Sequence, residues 1–339
     1  MDSSVIEGEL TWKDGQVIQN GKTYALSKCI ELDFDRPLVN NSGEYIILSD
    51  GSILRAKSLK LNQKESSLLV EFREQDLVLK LANIRALSFQ GAFYPSKNIE
   101  PGFWSTGDFY TSGEASYFTR TMIGQSKPQK KRYKKNLLKF LCFNNEMSSR
   151  GEFKIYTTSR EIIYAQSIEA KQNNLIMKSS IGQLELPLVE INKIENSSAY
   201  EPLRSSHISQ EQYTPYLSQC LKMQEGVSYT QSPIQLKGYG LQDFWSLHSR
   251  TSFQLQPPKG AKSFSAEFQF DPGAKNGHVE VLIKEGGKEL ERIIMAHGDV
   301  KALKLNLSGK PINVTIDYGK NGSAGDLLLM CNPRFQGGK

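Results

Sequence analysis

The sequence predicts an all-β protein in which a repeated N-terminal region precedes a longer strand-rich C-terminal part. Three observations carry this. Long amphipathic helical patterns are hard to find anywhere in the chain. Short runs of alternating apolar and polar residues recur between turn signals. A set of apolar residues is repeated at a near-constant spacing of 107 to 109 positions, the mark of a structural repeat. These features divide the chain into 1–90, a β-rich domain with the first copy; 91–150, an aromatic and basic segment; 151–198, the second copy; and 199–336.

From the start, Val5 to Trp12 alternates weakly, and Lys13, Asp14 and Gly15 supply a hairpin-type turn. Asn20-Gly21 is a stronger turn signal, because both central positions of a tight hairpin favour a left-handed backbone. The first repeat copy opens with Glu44 to Leu48 and continues through Leu59, Leu68 to Val70, Leu77 to Leu81, Ile84 and Leu87. Its counterpart opens with Glu152 to Tyr156 and continues through Ile168, Leu175 to Met177, Leu184 to Leu188, Ile191 and Ile194. The first copy carries Asp50-Gly51 in its opening hairpin; Ser159-Arg160 at the matching place predicts a different turn type there. Such a unit resembles a small SH3-like or Sm-like barrel, a fold that hosts many functions. Two barrels and two halves of one β-region both fit the pattern, and halves of one region is the preferred reading.

The stretch between the copies is rich in aromatics, Gly and Ser. Phe103, Trp104, Phe109 and Tyr110 either cover the edge of a neighbouring core or, with Trp104 foremost, form a stacking platform for sugar rings. The formal charge is +6, and the segment 127–139 alone holds seven Lys and Arg and no acid, so the rest of the chain is close to neutral. Lys130, Lys131, Arg132, Lys134 and Lys135 are the heart of this run. They read as a solvated loop, as a contact for an anionic polymer such as an acidic polysaccharide, or, with Tyr133, as a nucleic-acid contact. The last is disfavoured, since no nucleic-acid motif accompanies the patch.

In the C-terminal part, Trp245, Leu247 and His248 lead into the alternating run of Phe253 and Leu255; Pro257 to Gly260 closes a loop before Phe264, Ala266, Phe268 and Phe270. The order of Gly240-Leu241, His248-Ser249, a strand ending at Asp271, Gly277 and Val279 to Lys284 resembles the novel putative carbohydrate-binding module (NPCBM) family, a galactose-binding-like jelly-roll β-sandwich. Tyr200 to Leu203 and Tyr213 to Tyr216 upstream, and Pro311 to Asp317 and Asp326 to Phe335 downstream, extend the resemblance over about 135 residues. Met330 and Cys331 stand where that family often carries a Trp before its Asn/Asp-Pro step. The resemblance implies carbohydrate binding and export to the cell envelope or secreted space of a bacterium. Tyr239, Trp245, His248 and Arg250 are the residues it puts forward for a ligand. Core roles stand beside these for Trp245 and His248. The loops 271–277 and 317–325 are further places for a ligand.

Catalytic signatures are absent from the sequence. His207, His248, His278 and His297 lie too far apart for a local metal-ligand pair, and no nucleophile elbow, P-loop or dinucleotide fingerprint appears. Cys29, Cys142, Cys220 and Cys331 lack C-x-x-C spacing; they allow three full pairings, among them Cys220 with Cys331 inside the C-terminal module, or buried free thiols. No run is long and apolar enough for a membrane helix. The N-terminus lacks the basic and apolar stretches of a secretory signal, which read literally implies a cytoplasmic protein, whereas the resemblance implies a mature exported form with an added Met. The expectation is a non-catalytic carbohydrate-binding or adhesion protein without cofactor or metal. One alternative is a structural protein whose sandwich mediates assembly with a protein partner or with itself. The other is an accessory subunit of a glycoside hydrolase system.

Overall fold

A computed structural model describes residues 10–13, 16–19, 21–25, 29–39, 44–62, 66–88, 109–112, 115–120, 129–134, 140–142, 148–214, 221–230, 234–241, 243–320, 322 and 325–337. Residues 10–13, 19, 25, 61–62 and those within 109–142 are described by their backbone alone. The regular structure is nearly all strand, broken by single 3-10 turns. Trp104 and Lys135 lie outside the described residues.

Leu10–Lys13, Gln16–Gln19 and Lys22–Ala25 form a three-stranded meander. Its pairs Lys13↔Gln16 and Gln19↔Lys22 leave two residues for each turn, where the sequence placed them. Gly21 adopts φ +74°, the left-handed backbone such a turn demands.

The two copies meet in one sheet. Its strand order is Phe140–Cys142, Ile84–Ser88, Glu44–Leu48, Ile53–Ala56, Ile162–Lys171, Phe153–Thr157, Ile191–Asn196 and Glu31–Asp33. The copies join where Ile53 faces Ile162. Outward from that seam each copy presents its second strand, its first and its last, so the order is palindromic about the seam. In the second copy, Asn174–Ser179 and Gly182–Pro187 extend this sheet. In the first, Ser58–Asn62, Ser67–Phe72 and Gln75–Lys80 make a separate three-stranded sheet. A single core takes side chains from both copies, among them Ile46, Leu54, Leu68, Ile155, Leu175 and Ile191.

The opening hairpins correct one expectation. Gly51 donates its N–H to Leu48 O and Leu48 its N–H to Ser52 O; Arg160 donates to Thr157 O and Thr157 to Glu161 O in the same pattern. The turns are therefore alike, and Arg160 takes φ +65° where Gly51 takes +88°. A non-glycine side chain pays a steric cost there, which the surrounding pairs of strands outweigh.

Residues 199–336 form a β-sandwich. One sheet runs Gln224–Glu225, Phe244–His248, Leu327–Gln336, Ser263–Phe270 and Val300–Asn306, with Tyr200–Pro202 also on Leu327–Gln336. The other runs Ile208–Tyr213, Thr251–Leu255, Ile312–Tyr318, His278–Glu285 and Lys288–Ala296. Alternating residues from both fill the core, with Phe264 and Phe335 in ring contact at 5.0 Å. The outer face of the first sheet packs on the hairpin of Gln235–Leu236 and Tyr239–Gly240 through Leu329 and Cys331. Cys331 is a buried free thiol, and Cys220 lies outside the described residues.

Candidate functional site

One end of the sandwich gathers the loops. The register pairs His248 with Leu327, Phe270 with Leu328, Val279 with Tyr318, His278 with Ala296 and Tyr213 with Thr251. The 249–250 turn and the 271–277, 297–299 and 319–326 connections therefore leave at the same end. Two glycines let the longest of them touch. A Cβ on Gly325 (φ +81°) would stand 1.9 Å from Lys275 O, and one on Gly277 would meet the Phe270 ring at 2.2 Å.

Tyr318 is the exposed aromatic of this end. Ile312, Val314 and Ile316 point inward along its strand and are buried. Tyr318 continues that inward face past the last core layer and is 51% exposed. His278 begins the paired strand and, next to inward-facing Val279, takes the opposite face. Its N–H donates to Asp326 Oδ1 at 2.9 Å, its carbonyl accepts from Gly319 N–H at 2.7 Å, and its Nδ1 accepts from Lys320 N–H at 3.3 Å. Arg250 is exposed, with φ +66°, and its N–H donates to Ile316 O at 2.7 Å. Beneath lies a polar floor. Asp326 is fully buried, and neither its Oδ2 nor the Thr251 hydroxyl has a hydrogen-bond partner among the described residues. The Ser249 hydroxyl stands near Asp326 without reaching hydrogen-bond geometry. Burial raises the Asp326 carboxyl above its ordinary range, against the pull of the His278 N–H. Asp271 is better satisfied: Ser228 donates to it at 2.6 Å, Gly273 N–H at 3.0 Å, and Thr230 at short range.

No family model matches the chain, and no curated protein does. Solved structures do. They include carbohydrate-binding modules of families 51, 6 and 61. One, the CBM51-2 and INT domains of Clostridium perfringens ZmpB in complex with GlcNAc, is 14% identical with a TM-score of 0.36; the match covers 53% of this chain, which spans 41% of that one. The CBM51 of a Clostridium perfringens GH95 protein in complex with methyl-galactose is 11% identical over 38% of this chain and 92% of that one, with a TM-score of 0.31. The tandem CBM51 modules of a family 98 glycoside hydrolase from Streptococcus pneumoniae are 10% identical over 55% and 70%, with a TM-score of 0.36.

The structure separates the four module residues singled out in the sequence. His248 and Arg250 stand at the loop end, but only Arg250 reaches solvent. His248 is 6% exposed; its Nδ1 lies 2.9 Å from Ser249 O and its ring meets Tyr213 edge-on at 6.1 Å. Trp245 is 5% exposed and packs in the sandwich core. Tyr239 is 8% exposed and belongs to the junction with the N-terminal sheet: its hydroxyl donates to Thr157 O at 2.8 Å and accepts from Asn192 at 2.9 Å. Sequence reasoning named the 317–325 loop but not Tyr318 or His278. The signal for Tyr318 was its place at the end of an inward-facing run just before a glycine. Lys130, Arg132 and Lys134 occupy alternate positions of Gln129–Lys134, with Lys131 between them.

The junction is ionic as well as aromatic. Arg150 grips Asp243 with two bonds, at 2.6 and 3.1 Å. Glu195, on the N-terminal sheet, takes Tyr156 OH on Oε2 at 2.9 Å, and Lys193 at 2.9 Å and Arg334 of the sandwich at 3.2 Å on Oε1. Burial opposes the charge of Glu195, but Arg334, Lys193 and Lys154 together outweigh it and hold its carboxyl well below the ordinary range.

Proposed function

We propose that this protein is a non-catalytic, glycan-binding protein of the cell envelope or secreted space whose sugar site is the loop end of the sandwich. One observation carries the reading: at that end an exposed aromatic, Tyr318, and the exposed Arg250 of the adjoining 249–250 turn stand over a buried polar floor. A pyranose offers an apolar C–H face to an aromatic ring and hydroxyls to flanking donors, the chemistry these residues supply. Arg250 adds a fork of donors. The motif order supports assigning the sandwich to the novel putative carbohydrate-binding kind, and the repeat to the SH3-like kind. Trp245 belongs to the sandwich core, and His248 holds the 249–250 turn. Lys130, Lys131, Arg132, Lys134 and Lys135 supply a separate contact for an anionic polymer.

The test is retention on immobilised glycans by the full chain and by Tyr318→Ala. Because the ring is half exposed, the variant is expected to keep its melting temperature and lose roughly tenfold or more in affinity. Equal retention by both would sink the placement. A blank screen for the full chain would favour the second reading, an assembly role. What speaks for that reading is the junction itself, where Arg150 and Arg334 tie the sandwich to the repeat region.

A further inference from the structure

A cleft of about 530 Å³ lies between the N-terminal sheet and the outer face of the first sandwich sheet. That is within the range of small-ligand pockets, about 300–1,000 Å³. Its lining carries six Lys and Arg against five Asp and Glu. Most of the inner charges are matched. Lys193 and Arg334 share Glu31 and Glu195, and at the rim Lys237 meets Glu267 at 2.8 Å.

Lys154 has no such partner. It stands across the sheet from Glu195 on one side and Tyr164 on the other. Both Glu195 oxygens are already taken, by Tyr156 and by Lys193 and Arg334; both oxygens of nearby Asp243 are held by Arg150. Among the described residues no carboxylate lies within salt-bridge distance of the Lys154 ammonium. It rests on the faces of Tyr156, at 4.8 Å, and Tyr164, at 5.8 Å. Burial lowers it to about 8, against the attraction of Glu195 and Asp243 and with the repulsion of Arg150 and Arg334. A desolvated cation held only by aromatic faces and by carboxylates that other groups occupy is short of one negative partner. The rest of the cleft suits a sugar ring: Leu236, Leu241 and Ala302 line it with apolar groups, and Ser265 and Asn332 add hydroxyl partners.

We propose that this cleft is a second ligand site, distinct from the loop end, that takes a small sugar acid of the hexuronate class with its carboxylate on Lys154. A carboxylate there gives Lys154 the ion pair it lacks, while a neutral sugar of the same shape leaves it as it was. The site thus selects the acid over the neutral ring.

The experiment is calorimetric titration of the full chain at low salt and neutral pH with glucuronate and, as neutral control, methyl glucoside. Wild type should bind glucuronate and prefer it to methyl glucoside by roughly tenfold or more, the scale of a charge-assisted hydrogen bond. Lys154→Met keeps the apolar stem and should abolish that preference without lowering the melting temperature, since it removes an unpaired buried charge. Tyr318→Ala should leave glucuronate binding intact, because the loop end is not involved. A second readout is acetylation of Lys154 by acetic anhydride, which glucuronate should slow and methyl glucoside should not. Absence of glucuronate binding to wild type, equal binding by Lys154→Met, or loss of it in Tyr318→Ala alone would each overturn the inference.

Discussion

Glu195 shows how one buried carboxylate can tie two regions of a chain together. It bonds Tyr156 within its own sheet and Arg334 in the sandwich. Since its folded pKa is depressed below the unfolded one, the stability it contributes is fully present above the ordinary Glu range of about 4.3 and is lost as pH falls below it. Chemical denaturation at a series of pH values should therefore show stability draining from about pH 4 downward. Glu195→Gln keeps the shape and removes the charge, leaving Lys193 and Arg334 without it. It should cost about 3 kcal/mol at neutral pH and flatten that acid limb; an unchanged limb would exclude this carboxylate as its source. Trp245 and Tyr318 make the companion point, for both are aromatics on strands of one sandwich. Position relative to the last core layer alone buries one and half exposes the other.

Among elements, the strand Gln129–Lys134 refines the basic run. Lys130, Lys131, Arg132 and Lys134 all fall within one strand of a three-stranded sheet, rather than in a loop. Across the ladder Lys130 pairs with Thr119, Arg132 with Tyr117 and Lys134 with Ala115. An anionic polymer lying along that strand would meet the run as a whole. Retention on immobilised heparin should fall steeply with salt, and changing Lys130, Arg132 and Lys134 together to Gln should abolish it, while Lys131→Gln alone has a small effect. Salt-insensitive retention would rule the contact out. The loops of the sandwich end obey a different rule: Gly277 and Gly325 permit a backbone approach that any side chain would block.

At the scale of the molecule, the two copies hold each other by a reciprocal clasp. The tip of the first copy's Ser67–Phe72/Gln75–Lys80 hairpin sends Arg73 to buried Glu161 of the second copy, at 3.0 Å through Nε, and to Glu190. The equivalent tip of the second copy sends Ser180 to Asp50 of the first, at 2.6 Å. Each tip thus closes the other copy's opening hairpin over a shared core. Arg73→Met leaves Glu161 buried with its guanidinium partner gone, and should destabilise the chain by about 2–4 kcal/mol in urea denaturation. A loss under about 0.5 kcal/mol, the level of a surface pair, would mean that the clasp adds nothing to the junction.

What the sequence determined by itself was what depends on neighbours along the chain. Strands follow from alternation, the hairpins at Asp14-Gly15 and Asn20-Gly21 from local backbone preference, and the strand order along the sandwich from a succession of short motifs. Arg160 was misjudged because the cost of a left-handed residue is local but its compensation is tertiary. Only the tertiary structure decided which aromatics are core and which are surface, because strand parity gives a face and not a depth. Tyr239 and Trp245 are buried by segments far away in sequence, and Tyr318 is left exposed because its strand outruns the core. The cleft around Lys154 was invisible for the same reason. Its charges come from Glu31, Lys154, Glu195 and Arg334, and only packing of the sandwich on the repeat sheet brings them together and leaves Lys154 without an ion pair.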